Sequence, residues 1–201
     1  MKRVSVEAEQ IVLPDAELLL WRQIDLHRPL AELRQRLVDE LHWQQTPIRI
    51  YGREVMQPRL TAWYGDADAA YRYSGVTHEP LPWHPLLWDI KALVEQYSAS
   101  TFNSVLCNYY RSGQDSMGWH SDNEPELGPE PVIASLSFGA ARRFLLQHKK
   151  DKSLQWQCSL GEGDLLLMRG ATQRFYRHSV PKTAKTTDLR INLTFRRIIV
   201  Q

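Results

Sequence analysis

With 201 residues, of which 43% are hydrophobic, the chain is long enough to enclose one sizeable core and is ordinary in composition for a globular domain. No stretch approaches the roughly 20 apolar residues of a membrane-spanning helix, and the run Leu18-Leu19-Leu20-Trp21 is too short and too closely flanked by acidic residues to read as a targeting signal. The formal net charge of +2 hides an asymmetry: residues 1–140 hold 12 Lys+Arg against 19 Asp+Glu, a net of −7, while residues 141–201 hold 13 against 4, a net of +9.

That asymmetry fits a polyanionic partner for the C-terminal part, and it equally fits a set of solvated strand faces. The expectation is a soluble protein of the cytoplasm, or of the nucleus in a eukaryote, with no membrane association and no obligate protein partner.

The first clear element in chain order is a helix opened by Pro29, because Leu30, Leu33, Leu37 and Leu41 recur at helical spacing. Residues 48–75 are rich in aromatic and β-branched side chains and are broken by Gly52, Gly65 and Gly75, a texture of hairpins. A second helix starts at about Pro85, with Leu86, Ile90, Leu93, Val94 and Tyr97 on one face. From residue 104 short strands follow one another: 104–110, 132–138, 142–148, 154–160, 164–168 and 189–200. Many short strands joined by turns imply a sandwich or barrel, so the fold class is mainly β with packing helices, an α+β arrangement. Cys107 and Cys158 lie in two of these strands and read as buried free thiols, which fits a reducing compartment. No repeat or linker divides the chain, and residues 1–201 are expected to form one domain, with helices and hairpins in about 1–100 and the β core in about 101–201.

"MGWHSDNE" places His120 and Asp122 two positions apart. In an extended segment both would point to one face and reach one ion, with Ser121 turned away. Two ligands do not hold a catalytic metal, and His178 in "RFYRHSVP" is the best third candidate; a lone His-x-Asp is also a common structural turn. Two histidines and one carboxylate on one face of iron leave positions open for substrate and oxygen. The strand "DLRINLTFRR" then alternates strictly: Arg190, Asn192, Thr194 and Arg196 are polar, and Ile191, Leu193 and Phe195 are apolar. A surface strand would alternate in the same way. Two arginines on one face, however, are shaped for forked contacts to carboxylates. Their Cα atoms lie roughly 20 Å apart in a straight strand, so both arms must lean inward to share one small dianion.

Taken together, "CNYYRSGQDSMGWHSDNE", "VIASLSFGAARRFLLQHK", "HSVP" and "RINLTFRR" closely resemble the AlkB family of iron- and 2-oxoglutarate-dependent nucleic-acid dealkylases, and most of all its duplex-DNA-repairing homologues. The likeness runs from about "IYGREVMQPRLTAWYGD" to the C-terminus and is weakest over the first 40 or so residues. It implies a double-stranded β-helix, or jelly roll, preceded by nucleotide-recognition hairpins. It further implies that His120, Asp122 and His178 hold Fe(II), and that Asn108, Tyr110, Arg190, Asn192, Thr194 and Arg196 surround 2-oxoglutarate. Arg190 would lie near the distal carboxylate and Arg196 near the metal-chelating end. The family's reaction consumes O2 and 2-oxoglutarate, yields succinate and CO2, and hydroxylates an N-alkyl group that leaves as formaldehyde.

The implied partner is alkylated DNA, with RNA as the alternative. The implied lesions are N1-methyladenine and N3-methylcytosine, whose blocked pairing edge makes them cheaper to flip out of a duplex. Tyr71, Tyr73 and Glu124 occupy the family's base-pocket positions, where aromatic faces and a carboxylate suit a cationic base. Tyr51 in "RIYGRE" stands at the finger that fills the gap left by flipping, with Arg59 near the displaced base or a phosphate. Tyr73 stands where phenylalanine is expected, and Asn123 where duplex-acting members carry aspartate. Two further readings stay open: the same chemistry on RNA, protein or a small molecule, and a non-catalytic jelly-roll binding module.

Overall fold

The structure, a computed structural model, describes residues 7–50, 53–73 and 76–199. The elements run β1 (Glu9–Leu13), β2 (Ala16–Trp21), α1 (Leu30–Glu40), β3 (Pro47–Ile50), β4 (Arg53–Met56), β5 (Leu60–Gly65), β6 (Tyr71–Tyr73), β7 (Val76–His78), β8 (Leu81–Pro82) and α2 (Pro85–Ser98). They continue with β9 (Ser104–Tyr110), β10 (Met117–His120), β11 (Ile133–Gly139), β12 (Arg142–His148), β13 (Gln155–Leu160), β14 (Leu165–Arg169), α3 (Thr172–Phe175), β15 (Tyr176–Val180) and β16 (Arg190–Arg196). Eight strands form a major sheet in the order β1-β2-β14-β11-β16-β9-β5-β8, and four form a minor sheet in the order β10-β15-β12-β13. Every pairing in the two sheets is antiparallel except β5 with β8. This is the jelly-roll core with packing helices that the sequence implied.

Alternation along the strands explains the layering. Ile191, Leu193 and Phe195 of β16 join Val105, Cys107, Leu136 and Phe138 in a core shared with Leu33 and Leu37 of α1 and Leu86, Ile90 and Val94 of α2. The opposite face of the major sheet meets the minor sheet through a second core, which includes Leu20, Tyr110, Ile133, Phe144, Leu166 and Tyr176. The major sheet is therefore covered on both faces, and the polar positions of β16 point between the sheets.

Both expected helices are present. Pro29 caps α1, whose next residue outside the helix, Leu41, is extended. The His84 side chain accepts the Leu86 N–H at the start of α2, Pro85 takes the first turn, and Ala99 ends the helix in the left-handed region. No helix among the described residues is long and apolar enough to cross a membrane.

Three differences from the sequence expectations have physical reasons. Residues 1–100 supply more than helices and hairpins: β1 and β2 form a hairpin through Pro14-Asp15, and β2 pairs with β14, so the run Leu18-Leu19-Leu20-Trp21 is a strand buried on both faces. Likewise β5, expected in a hairpin, pairs with β9 and extends the major sheet. The last strand stops at Arg196 rather than near residue 200, because the Asn103 side chain accepts the Ile198 N–H at 2.7 Å and donates to its carbonyl at 2.8 Å, replacing the ladder. The hairpins β3–β4 and β6–β7 stand where the 48–75 stretch implied them. Both cysteines are free; Cys107 is fully buried and Cys158 only partly so.

Candidate metal centre and co-substrate cavity

His120 ends β10 directly across from His178 on β15. Their ring centroids are 4.2 Å apart. Asp122 joins them for a different reason from the one its spacing suggested. The strand ends at His120, and Asp122 is turned inward because its N–H donates to Gln173 Oε1 at 2.9 Å while the Ser121 hydroxyl donates to the Tyr176 carbonyl at 2.8 Å. Gln173 belongs to α3, three residues before the start of β15, so one short helix sets the carboxylate against the strand that carries His178.

One ligand atom from each of His120, Asp122 and His178 lies within 4.8 Å of the others. His120 Nδ1 sits 2.9 Å from the Gly118 carbonyl, so it carries the proton and leaves Nε2 as the free donor atom. Phe144 stacks on the His178 ring at 5.3 Å. Burial would raise the Asp122 carboxyl, yet the hydrogen bond and charge of His178, with the Arg196 guanidinium 3.4 Å away, outweigh it and hold the group well below the usual carboxylate range. Burial and the charge of His178 lower His120 to about 4, so it is a neutral imidazole near neutral pH. A carboxylate oxygen and two imidazole nitrogens are the donor set of a two-histidine, one-carboxylate metal centre, and the residues fit Fe(II).

A cavity of about 60 Å³ between the sheets adjoins this cluster, lined among others by Asn108, Tyr110, Ser135, Arg190, Asn192 and Thr194. Arg190 is 2% exposed, donates from one Nη to the Ser137 hydroxyl at 2.9 Å and lies 5.1 Å from the Tyr110 ring centroid. Its Nε and other Nη are buried with no partner among the described residues, as is Nε of Arg196. Buried guanidinium donors without acceptors are costly, and they fit a cavity that receives carboxylates. Asn192 donates to Ser135 at 2.7 Å and accepts from Thr194 at 2.9 Å, which fixes the floor between the arginines. Arg142, Arg190 and Arg196 thus turn part of the C-terminal net positive charge inward, a use of it that the solvated-face reading omits.

Arg59, expected near a displaced base or a phosphate, is 6% exposed, and its Nε donates to Asn108 Oδ1 at 2.8 Å inside the fold. Glu124 lies 3.9 Å from Arg196, with a half-exposed side chain, and the two line a separate small pocket. Tyr71 and Tyr73 lie in β6, with their side chains outside the described structure, and Tyr51 lies outside the described residues.

Sequence reasoning did not single out Ser135, Ser137, Arg142, Phe144 or Gln173. The two serines had a readable mark, since "IASLSFG" puts small polar groups two apart in an apolar strand. Arg142 had none, because an arginine beginning a strand is ordinarily solvated.

A metal cluster of this type inside a jelly roll, beside an arginine-lined cavity, defines an oxygenase of the iron and 2-oxoglutarate class. Residues 25–196 match the family model of the 2OG-Fe(II) oxygenase superfamily. Alpha-ketoglutarate-dependent dioxygenase alkB homolog 3 of Rattus norvegicus is 46% identical over 82% of this chain and 58% of its own length. DNA oxidative demethylase ALKBH2 of Mus musculus is 38% identical over 90% of this chain and 78% of its own. The solved structure of OsALKBH1 matches with a TM-score of 0.65 at 16% identity, covering 94% of this chain and 99% of that one, a likeness of fold. The chain belongs to the AlkB family of 2OG-Fe(II) oxygenases, whose cofactors are Fe(II), 2-oxoglutarate and O2. It spans about 58–60% of the length of the mammalian alkB homolog 3 proteins it matches.

Proposed function

We propose that this protein removes N-alkyl groups from bases in DNA, with N1-methyladenine and N3-methylcytosine as its lesions and formaldehyde, succinate and CO2 as products. The observation that carries the reading is the three-ligand cluster opening onto a cavity lined by Arg190, which keeps buried donor atoms without acceptors, in a chain 38% identical to a DNA oxidative demethylase.

His120, Asp122 and His178 would hold Fe(II), which supplies activation of O2 coupled to decarboxylation of 2-oxoglutarate. The chain's own residues do the rest. Arg190 takes the distal carboxylate, with Ser137 holding one arm of its fork and Tyr110 covering its face. Asn108, Asn192 and Thr194 line the path between that carboxylate and the ligand cluster. Arg196 offsets the Asp122 charge and reaches toward Glu124. Phe144 holds the His178 ring and keeps water from that side of the site.

N1-methyladenine and N3-methylcytosine are cations, and Glu124 offers a half-exposed carboxylate beside Arg196, with Tyr71 and Tyr73 carried over from the resemblance as aromatic walls. Extruding a base from a duplex costs a few kcal/mol and less for a lesion that no longer pairs. A DNA substrate places the protein in the cytoplasm or the nucleus.

The test is formaldehyde release, with Fe(II), 2-oxoglutarate and O2 supplied, from matched oligonucleotides: methylated DNA single strand, methylated duplex and methylated RNA. Release from DNA supports the reading. Release from RNA alone moves the same chemistry to RNA. Succinate without formaldehyde from any of them points to another substrate, and absence of turnover in folded, metal-loaded protein points to a binding module.

A further inference from the structure

Arg142 opens β12, four residues before Leu146, the residue paired with His178, and its side chain is among the largest fully buried ones described. Its guanidinium donates to the carbonyls of Ser112 at 3.1 Å, Gly113 at 3.4 Å, Asp115 at 2.8 Å and Pro181 at 2.8 Å. The first three belong to the loop between β9 and β10, and the fourth to the segment between β15 and β16. Those two pieces of chain are also sewn directly together. Gly113 donates to the Thr186 carbonyl at 3.1 Å and accepts from the Thr183 N–H at 2.8 Å. The fit leaves no room, since a Cβ on Gly113 would come within 2.2 Å of the Thr183 carbonyl oxygen.

The same guanidinium lies 5.6 Å from the Tyr110 ring centroid, and Arg190 lies 5.1 Å from that centroid. Tyr110 therefore has two cations against it. Arg142 has no ion pair to a carboxylate within 4 Å among the described residues: Asp115, whose backbone carbonyl it bonds, pairs its carboxylate with Arg111 at 2.7 Å and acts on Arg142 only through its charge. Burial and then the Arg142 charge pull the Arg190 guanidinium below its ordinary value, with Tyr110 opposing. Two buried like charges against one ring, offset on the Arg142 side only by Asp115, are unfavourable in the free protein and are relieved by an anion arriving in the cavity.

We infer that Arg142 is a positioning residue for 2-oxoglutarate: by tying both loops to β12 and resting against Tyr110, it holds Tyr110 and Arg190 in place for the distal carboxylate and adds positive potential there. It does not touch the co-substrate; it acts through Tyr110 and through the two loops. The inference rests on the proposal that Arg190 takes that carboxylate.

The experiment measures binding by calorimetry with Mn(II) in place of Fe(II), so that no turnover intervenes. 2-Oxoglutarate is compared with 2-oxopentanoate, an acid of the same chain length that lacks the distal carboxylate. Arg142→Gln is expected to weaken 2-oxoglutarate about tenfold, and Arg142→Lys, which keeps the charge but not the four-carbonyl fork, by less than that. Both should leave 2-oxopentanoate within about twofold. A merely structural role would weaken both acids alike or lower the melting temperature alone, and either result overturns the inference, as does unchanged binding of 2-oxoglutarate. Should Arg142→Gln fail to fold, Arg142→Lys decides by the same comparison. Arg190→Met is the separate control: if it fails to discriminate between the two acids, the role of Arg190 itself is wrong, whatever Arg142 does.

Discussion

Arg59 Nε donates to Asn108 Oδ1 at 2.8 Å, a buried bond between residues 49 positions apart. It ties the chain just before β5 to the cavity-facing side of β9. That bond commits Nε of the guanidinium to a residue that lines the cavity beside the metal cluster.

Arg59→Met keeps most of the apolar stem and removes the donor. The Asn108 carbonyl oxygen loses its partner in a buried setting, at a cost of about 1–3 kcal/mol. At about 2–4 °C per kcal/mol for a chain of this size, the melting temperature should fall by several degrees. The apparent KM for 2-oxoglutarate should rise, while the ratio of duplex to single-strand activity stays as in the parent. A changed strand ratio with unchanged KM would return Arg59 to the DNA-facing role.

His120→Ala and Asp122→Ala are expected to abolish turnover while leaving the fold intact. Each ligand supplies one of three converging atoms, and two do not define one face of the metal. Mn(II) binding followed by electron paramagnetic resonance, with circular dichroism for the fold, separates metal loss from unfolding. Turnover near the parent rate in either variant, with Fe(II) supplied, would sink the assignment.

Arg196→Lys keeps a positive charge but exchanges a fork for a point. Arg196 Nη1 lies 3.4 Å from Asp122 and 3.9 Å from Glu124, and its Nε is buried without an acceptor. Losing one charge-assisted bond of about 1.4 kcal/mol is a tenfold effect, so the 2-oxoglutarate concentration at half-saturation should rise by about that factor. Unchanged saturation would remove Arg196 from the co-substrate site.

What the sequence made legible follows from periodicity. Leu30, Leu33 and Leu37 announce α1 because one face of a helix recurs at fixed spacing, and the polar positions of β16 announce the cavity wall because a strand alternates. Position in sequence could not say that the wall faces a second sheet instead of water; that depends on β12 and β15 closing over it. The β1–β2 hairpin has no alternation to mark its second strand, because β2 is buried on both faces. Asp122 was paired with His120 for an extended geometry that ends one residue too early, and its real anchor, Gln173, lies 51 positions away on a four-residue helix with no sequence mark. Arg142 carries no mark in the sequence, because arginine is ordinarily a surface residue and only the fold reveals the carbonyl groups that it bonds.

Tyr51 should matter for duplex repair and far less for single strands. The hairpin β3–β4 pairs Ile50 with Arg53, and the two residues between them in sequence are Tyr51 and Gly52. An aromatic at that position has the chemistry of a wedge that fills the space left by a flipped base. Stacking of a base on an aromatic is worth about 1–3 kcal/mol, one to two powers of ten in an equilibrium. A duplex needs that contact to hold the opposite stack apart, whereas an unpaired strand has no opposite stack. Tyr51→Ala is therefore expected to depress initial formaldehyde release from methylated duplex DNA by a comparable factor and to leave release from the matching single strand nearly intact. Both substrates are measured at one salt concentration, because phosphate binding itself changes with salt. Equal loss on both would mean a pocket or folding defect, and no loss on either would make "RIYGRE" an ordinary turn.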